Sequence, residues 1–180
     1  RYIQMVDDCM KGNRLIGIVQ PKKTGELKKP NLYEVGCAGK ITSFNETEDG
    51  RYIILIEGLS RFVIRNEIDS DKMYRLFKVD FNKFEYDTNN LDEKNKSINF
   101  NYILKELKQL CKNKGYNIDW KNLNDQSSYE IINSLSMASP FSMEEKQTLL
   151  EASDIFSRKD IFENILKTYT VTSFSNRTIQ

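Results

Sequence analysis

The strongest nucleophiles in the sequence are three cysteines, Cys9, Cys37 and Cys111, and no histidine is present to activate them. Without histidine, Ser-His-Asp triads, Cys-His dyads, histidine general bases and histidine-zinc sites are excluded. The cysteines are odd in number, lie far apart and form no C-x-x-C pair. Neither a disulfide framework nor a zinc knuckle is therefore expected, and a reducing compartment, the cytoplasm, is the simplest setting. Cys9 and Cys37 sit among apolar residues, where a buried, inert thiol is expected.

Nucleotide chemistry fares no better. The spacing G-x-x-x-x-G occurs once, from Gly12 to Gly17, but Ile18 stands where a phosphate loop needs lysine. There is no G-x-S-x-G elbow and no G-x-G-x-x-G fingerprint. A Ser-Lys dyad or a pair of carboxylates leaves no obligatory local spacing and stays open as a cryptic hydrolase site. The acidic candidates are Asp7-Asp8, Glu46/Glu48/Asp49 and Glu144-Glu145, all in turns or on helix faces where capping or solvation accounts for them. No catalytic residue, cofactor or metal is expected.

Two lysine groups could meet phosphates: Lys22, Lys23, Lys28 and Lys29 in one loop, and Lys105, Lys108 and Lys112 on a helix face near Tyr102 and Tyr116. The overall charge argues against nucleic acid. Lys plus Arg number 27 against 26 Asp plus Glu, a net of +1, so neither lysine group belongs to a strongly basic surface. A solvated loop and the outer face of an amphipathic helix suffice. No apolar run nears the roughly 20 residues of a membrane helix, the longest being Tyr52 to Ile56.

The elements that must carry these residues change character near residue 90. Residues 1–90 open with a helix over residues 1 to 10, its apolar Tyr2, Met5, Val6, Cys9 and Met10 at helical spacing and Gly12-Asn13 as its stop. It begins without a cap, as if cut from something longer. Strands are predicted at Leu15 to Val19, Leu32 to Phe44, Tyr52 to Ile64 and Tyr74 to Phe84, with a turn at Pro21 to Gly25. Asp49-Gly50 marks a hairpin through a primed turn, pairing Lys40 to Phe44 with Tyr52 to Ile56. Ile53-Ile-Leu-Ile56 is apolar on both pleat faces and is expected to be covered on both sides. Gly36, Gly39 and Gly58 suggest bulges that curl the sheet.

From residue 91 to 180 the period is helical, after a polar connector at Asp87 to Lys96. Ile98, Ile103, Leu107, Leu110 and Cys111 form a stripe that Gly115 ends. Ser127-x-x-Glu130 and Ser142-x-x-Glu145 read as capping boxes, and a last helix is predicted from Asp154 to about Tyr169.

Several segments, in order, resemble a known family. Arg1-Tyr-Ile-Gln-Met-Val is similar to the tail of the pattern "lplnIFEpRYrqMv" near the start of Lon N-terminal, or LON substrate-binding, domains. Leu15-Ile-Gly-Ile-Val19, Val35-Gly-Cys-Ala-Gly-Lys-Ile41, Asp49-Gly-Arg-Tyr-Ile53 and Glu57-Gly-Leu-Ser-Arg-Phe-Val-Ile64 resemble its glycine-punctuated strands. Leu135 to Glu151, with Pro140-Phe141 and Lys146-Gln-Thr-Leu-Leu-Glu151, resembles its helical signature.

The resemblance implies an α+β fold, a PUA-like β-barrel over 1–90 lacking an N-terminal strand, then a helical bundle over 91–180. It also implies a stand-alone bacterial LON-domain protein without the ATPase and Ser-Lys protease modules. Gly36, Gly39, Gly50, Gly58 and Arg61 match the family signature and are expected to serve backbone geometry, with Arg61 pairing a carboxylate. The function implied is a non-catalytic module that binds unfolded protein or peptide segments, alone or beside a separate ATPase or protease. RNA binding is the alternative, since PUA-like barrels are also used on RNA.

Overall fold

The computed structural model describes residues 2–26, 29–89, 98–117, 120 and 126–175. The chain divides into two compact units, Arg1–Asn89 and Asn90–Gln180. The fold is α+β, antiparallel sheets first and helices after.

The first unit starts with helix α1, Tyr2–Lys11, which buries Val6 and ends where Arg14 takes a left-handed φ of 61°. The helix thus stops at Gly12-Asn13, as expected, and these two residues form the turn that follows it. Strands β1 (Leu15–Ile18), β4 (Val35–Glu46), β5 (Tyr52–Ile68) and β6 (Leu76–Asp80) form one antiparallel sheet in the order β1-β4-β5-β6. Strands β2 (Pro21–Glu26) and β3 (Lys29–Leu32) form a separate hairpin. Pro21 to Gly25 is therefore strand, not turn. Proline tolerates a first strand position, and Gly25, at φ 104°, absorbs the irregularity between Pro21 and Gly25. The run from Leu32 breaks at residues 33–34, and the last predicted strand stops at Asp80, giving way to a 3-10 turn (Asn82–Phe84) and α2 (Tyr86–Asn89).

Register changes leave Thr42, Leu59 and Arg65 without a partner opposite, so bulges bend the long strands at three places. Glycine matters most where strands close on the core. The Phe62 ring lies over Gly36, where a Cβ would sit 2.7 Å from that ring and from the Ile18 carbonyl oxygen. At Gly39 a Cβ would collide with Ile56 Cγ2. Among the described residues, Val6, Val35, Ile41, Phe62 and Phe84 are the buried apolar side chains of this unit.

In the second unit α3 (Asn101–Lys114) buries Ile103, Leu107 and Cys111, and Gly115 closes it in the left-handed conformation. Helix α4 (Ser128–Ala138) and α5 (Met143–Glu151) each begin with a complete capping box, at Ser127/Glu130 and Ser142/Glu145. Helix α6 (Ile155–Ser175) runs past the expected end at Tyr169 and buries Ile155, Phe162 and Leu166 among Leu107, Ile132, Leu135 and Leu149. Phe141 meets Phe162 edge-on at 5.0 Å and stacks on Tyr169 at 5.9 Å.

Candidate functional site

The hairpin of β4 and β5 decides which side chains the β-rich unit presents outward. Its turn is not primed: Gly50 N–H donates to Thr47 O, Gly50 alone of the pair has positive φ (76°), and Thr47 N–H donates to Arg51 O. That is a type I turn followed by a left-handed glycine, the usual three-residue loop. It sets Glu46 opposite Tyr52 and Phe44 opposite Ile54. Tyr52, Ile54 and Ile56 then point inward, with Tyr52 edge-on to Phe44 and its hydroxyl donating to Asp7 of α1.

The alternate residues Ile53, Leu55 and Glu57 point outward. Ile53 is 60% exposed and Leu55 64%, which overturns the expectation that this apolar run is covered on both faces. Among the described residues of this unit no element lies over the outward face, so the side chains stay in water despite their chemistry. Part of the strand's outer edge also has no partner among the described residues. Strand β6 pairs with β5 only between Val63 and Ile68, and Asp87 takes the Arg61 N–H. Between Tyr52 and Ser60, among the described residues, β4 pairs with one edge of β5 and no strand pairs with the other. Alternate backbone N–H and C=O groups along such an edge are free to pair with an added strand.

Arg61 and Asp87 bound this edge. Their side chains are 8% and 9% exposed, and the guanidinium lies 4.1 Å from the Phe84 ring centre. Asp87 was assigned by sequence to the polar connector, but it belongs to the folded unit. The signal for it was Arg61 itself, a cation inside an apolar strand run that needs a buried carboxylate. Gly50 occupies the turn, Gly36 and Gly39 the packed interior of the sheet, and Gly58 open ground with only Cys37 Sγ near, at 3.7 Å. Residues 90–96 of the connector lie outside the described residues.

The other candidates do not assemble into a reactive site. Burial holds all three thiols protonated, aided at Cys9 by Asp8 and at Cys37 by Asp87. Asp8 accepts from Lys72 (2.8 Å) and Tyr74 (2.9 Å), which anchors α1 and holds its carboxyl below the ordinary range. Glu46, Glu48 and Asp49 stand exposed around the hairpin turn, and Glu145 serves its capping box beside Glu144. Lys29 pairs with Glu67 at 3.2 Å and Lys22 lies over the Tyr33 ring, while Lys28 lies outside the described residues. Lys105, Lys108 and Lys112 are exposed, Lys108 lying over the Trp120 ring. Among the described residues no three His, Cys, Asp or Glu side chains gather as metal ligands, and no helix is long and apolar enough to cross a membrane.

Residues 1–168 match the family described as the ATP-dependent protease La (LON) substrate-binding domain, and the chain belongs to that family. Among curated relatives, Lon protease of Malacoplasma penetrans is 27% identical over 153 residues, 78% of this chain and 19% of that protein. Lon protease of Desulfosudis oleivorans is 30% identical over 74 residues, 39% of this chain and 9% of that protein. The chain thus spans less than a fifth of the length of either. The crystal structure of a Lon N-terminal domain protein from Xanthomonas campestris has a similar fold, with TM-score 0.62 and 18% identity over 89% of this chain and 80% of that one. The match falls on the substrate-binding part of Lon, which is non-catalytic.

Proposed function

We propose that this chain recognises protein substrates for a Lon-type proteolytic system by gripping extended apolar segments at the outer edge and outward face of β5. The carrying observation is the match to the LON substrate-binding domain, joined by exposed Ile53 and Leu55 on a stretch of β5 whose outer edge has no partner among the described residues. An unfolded chain supplies the two things this surface lacks, a backbone to complete the ladder and apolar side chains at every second position. Burying two such side chains yields about 3–6 kcal/mol before the cost of ordering both partners, so a single segment binds weakly and avidity is needed. Partnership with an ATPase and protease, in the same chain or another, supplies that avidity. The family points to the cytoplasm as its place of work.

RNA has less support. Lys29 and Lys22 are engaged within the protein, and a net charge of +1 gives phosphate little attraction. Fluorescence anisotropy with a reduced, carboxymethylated model protein tests the reading. Saturable binding that survives moderate salt is expected, and absence of saturation at high micromolar concentration contradicts it.

A further inference from the structure

We propose that the outward face of α3 is a docking surface for an acidic helical segment of another protein. Lys105, Lys108 and Lys112 are exposed on it, opposite the buried Ile103, Leu107 and Cys111. With 3.6 residues per turn, the three lysines lie within about 60° of one another around the axis and about 4.5 and 6 Å apart along it. None of the positions three or four residues from them holds Asp or Glu, so each lysine meets another lysine at helical spacing instead. Like charges so placed oppose the helix they stand on. Of the three, Lys112 alone falls in the last turn, where the helix dipole favours a cation.

The chain balances 27 basic residues against 26 acidic ones, so an uncompensated stripe is not forced by composition. Among the described residues Glu106 comes within 3.9 Å of Lys105, whose side chain is 80% exposed, and a surface pair at that separation holds weakly. Lys108 Nζ lies 5.3 Å from the Trp120 ring centre, a contact that leaves its charge unneutralised. An opposing helix with Asp or Glu at i, i+3 or i+4, and i+7 repeats the same spacings and supplies one carboxylate per lysine. That match of charge and period favours a protein partner. A nucleic-acid strand shares the charge but asks for aromatic faces to stack on, and Lys108 already covers the Trp120 ring. Tyr102 and Tyr116 stand before and after the stripe, roughly 20 Å apart by helical rise and too far for adjacent bases.

Trp120 is the single tryptophan of the chain, so its emission reports on Lys108 and the stripe. Titrating the full chain with a capped, tryptophan-free alanine peptide carrying Glu at i, i+3 and i+7 tests the proposal. A saturable emission change is expected, lost when salt is raised to about 1 M, because exposed charge pairs are screened. The same peptide with Gln in place of Glu is expected to give none. Lys105→Gln and Lys112→Gln keep Lys108 over Trp120, and each is expected to weaken the peptide about threefold. Their thermal midpoints are expected to stay level or rise, since both changes relieve like-charge repulsion. Four results overturn the proposal: no saturable change, a response indifferent to both variants, a lowered midpoint in both, or tighter binding of a single-stranded oligouridine. This inference does not rest on the substrate reading, and absence of peptide binding overturns it whether or not the carboxymethylated protein binds.

Discussion

Asp87 holds Arg61 at three points: Oδ2 accepts the Arg61 backbone N–H and its Nε–H, each at 2.9 Å, and Oδ1 accepts from Nη2 at 2.7 Å. Removing one member of a buried pair strands the other's charge, at about 3–5 kcal/mol. Asp87→Ala is therefore expected to lower the urea resistance of the β-rich unit by that amount, read through hydrogen exchange of the β5 amides. Replacing both residues, as Arg61→Met with Asp87→Leu, is expected to recover much of the loss, because no charge is then buried.

The signature glycines separate into positions that resist a methyl group and one that accepts it. Gly36→Ala and Gly39→Ala force the Phe62 ring, the Ile18 carbonyl or Ile56 to move, costing about 1–3 kcal/mol each. Gly58→Ala meets only ordinary contact with Cys37 Sγ at 3.7 Å, so its thermal midpoint is expected to stay near that of the wild type. Equal losses at all three sites would show that these contacts are not the cause.

Acid stability carries the mark of Glu67. Arg75 donates to both of its oxygens, at 2.9 and 3.0 Å, and with help from Lys29 holds its carboxyl down to about 2. A carboxyl lowered in the folded state binds fewer protons there than in the unfolded chain. Its contribution is complete above the ordinary carboxyl value of 4.5 and is lost as pH falls toward about 2. The gap in melting temperature between the wild type and Glu67→Gln is thus expected to be constant near neutrality and to shrink across that window.

Alkaline stability depends on Tyr169 in the opposite sense. Burial, then the hydrogen bond from its hydroxyl to Glu145 Oε2 at 2.8 Å, pushes its pKa up to about 12. The folded protein keeps the proton longer than the unfolded chain, so stability is full below pH 10 and falls as pH rises toward about 12. Tyr169→Phe is expected to flatten that decline. Glu145→Ala also breaks the Ser142 capping box, and a loss of about 1–2 kcal/mol at pH 7 is expected by thermal denaturation.

Ile53→Lys and Leu55→Lys separate recognition from folding. Both side chains already face water, so the stability change should stay within about 0.5 kcal/mol. Loss of one apolar contact worth about 1.5–3 kcal/mol is expected to weaken binding of the carboxymethylated protein at least tenfold. Unchanged anisotropy titrations for both variants would move the recognition site off this face.

Local chemistry explains why so much was legible along the chain. Both capping boxes, the left-handed Gly115 and the stripe of Ile103, Leu107 and Cys111 are settled within a few residues of themselves, and they appear as read. The Asp49-Gly50 hairpin was located correctly, but not its turn type, since glycine alone supplies the positive φ and aspartate stays right-handed. Pro21 to Gly25 misled because turn residues can also line an irregular strand.

Sequence alone settled the absence of histidine chemistry, the order of strands before helices and the family resemblance, because composition, period and short-range motifs need no third dimension. Only the tertiary structure decided that Asp87, 26 residues from Arg61, is its partner, and that Ile53 and Leu55 remain uncovered. Whether a side chain is buried depends on what the rest of the chain brings against it, and an apolar strand reads the same with a covered face as with an open one.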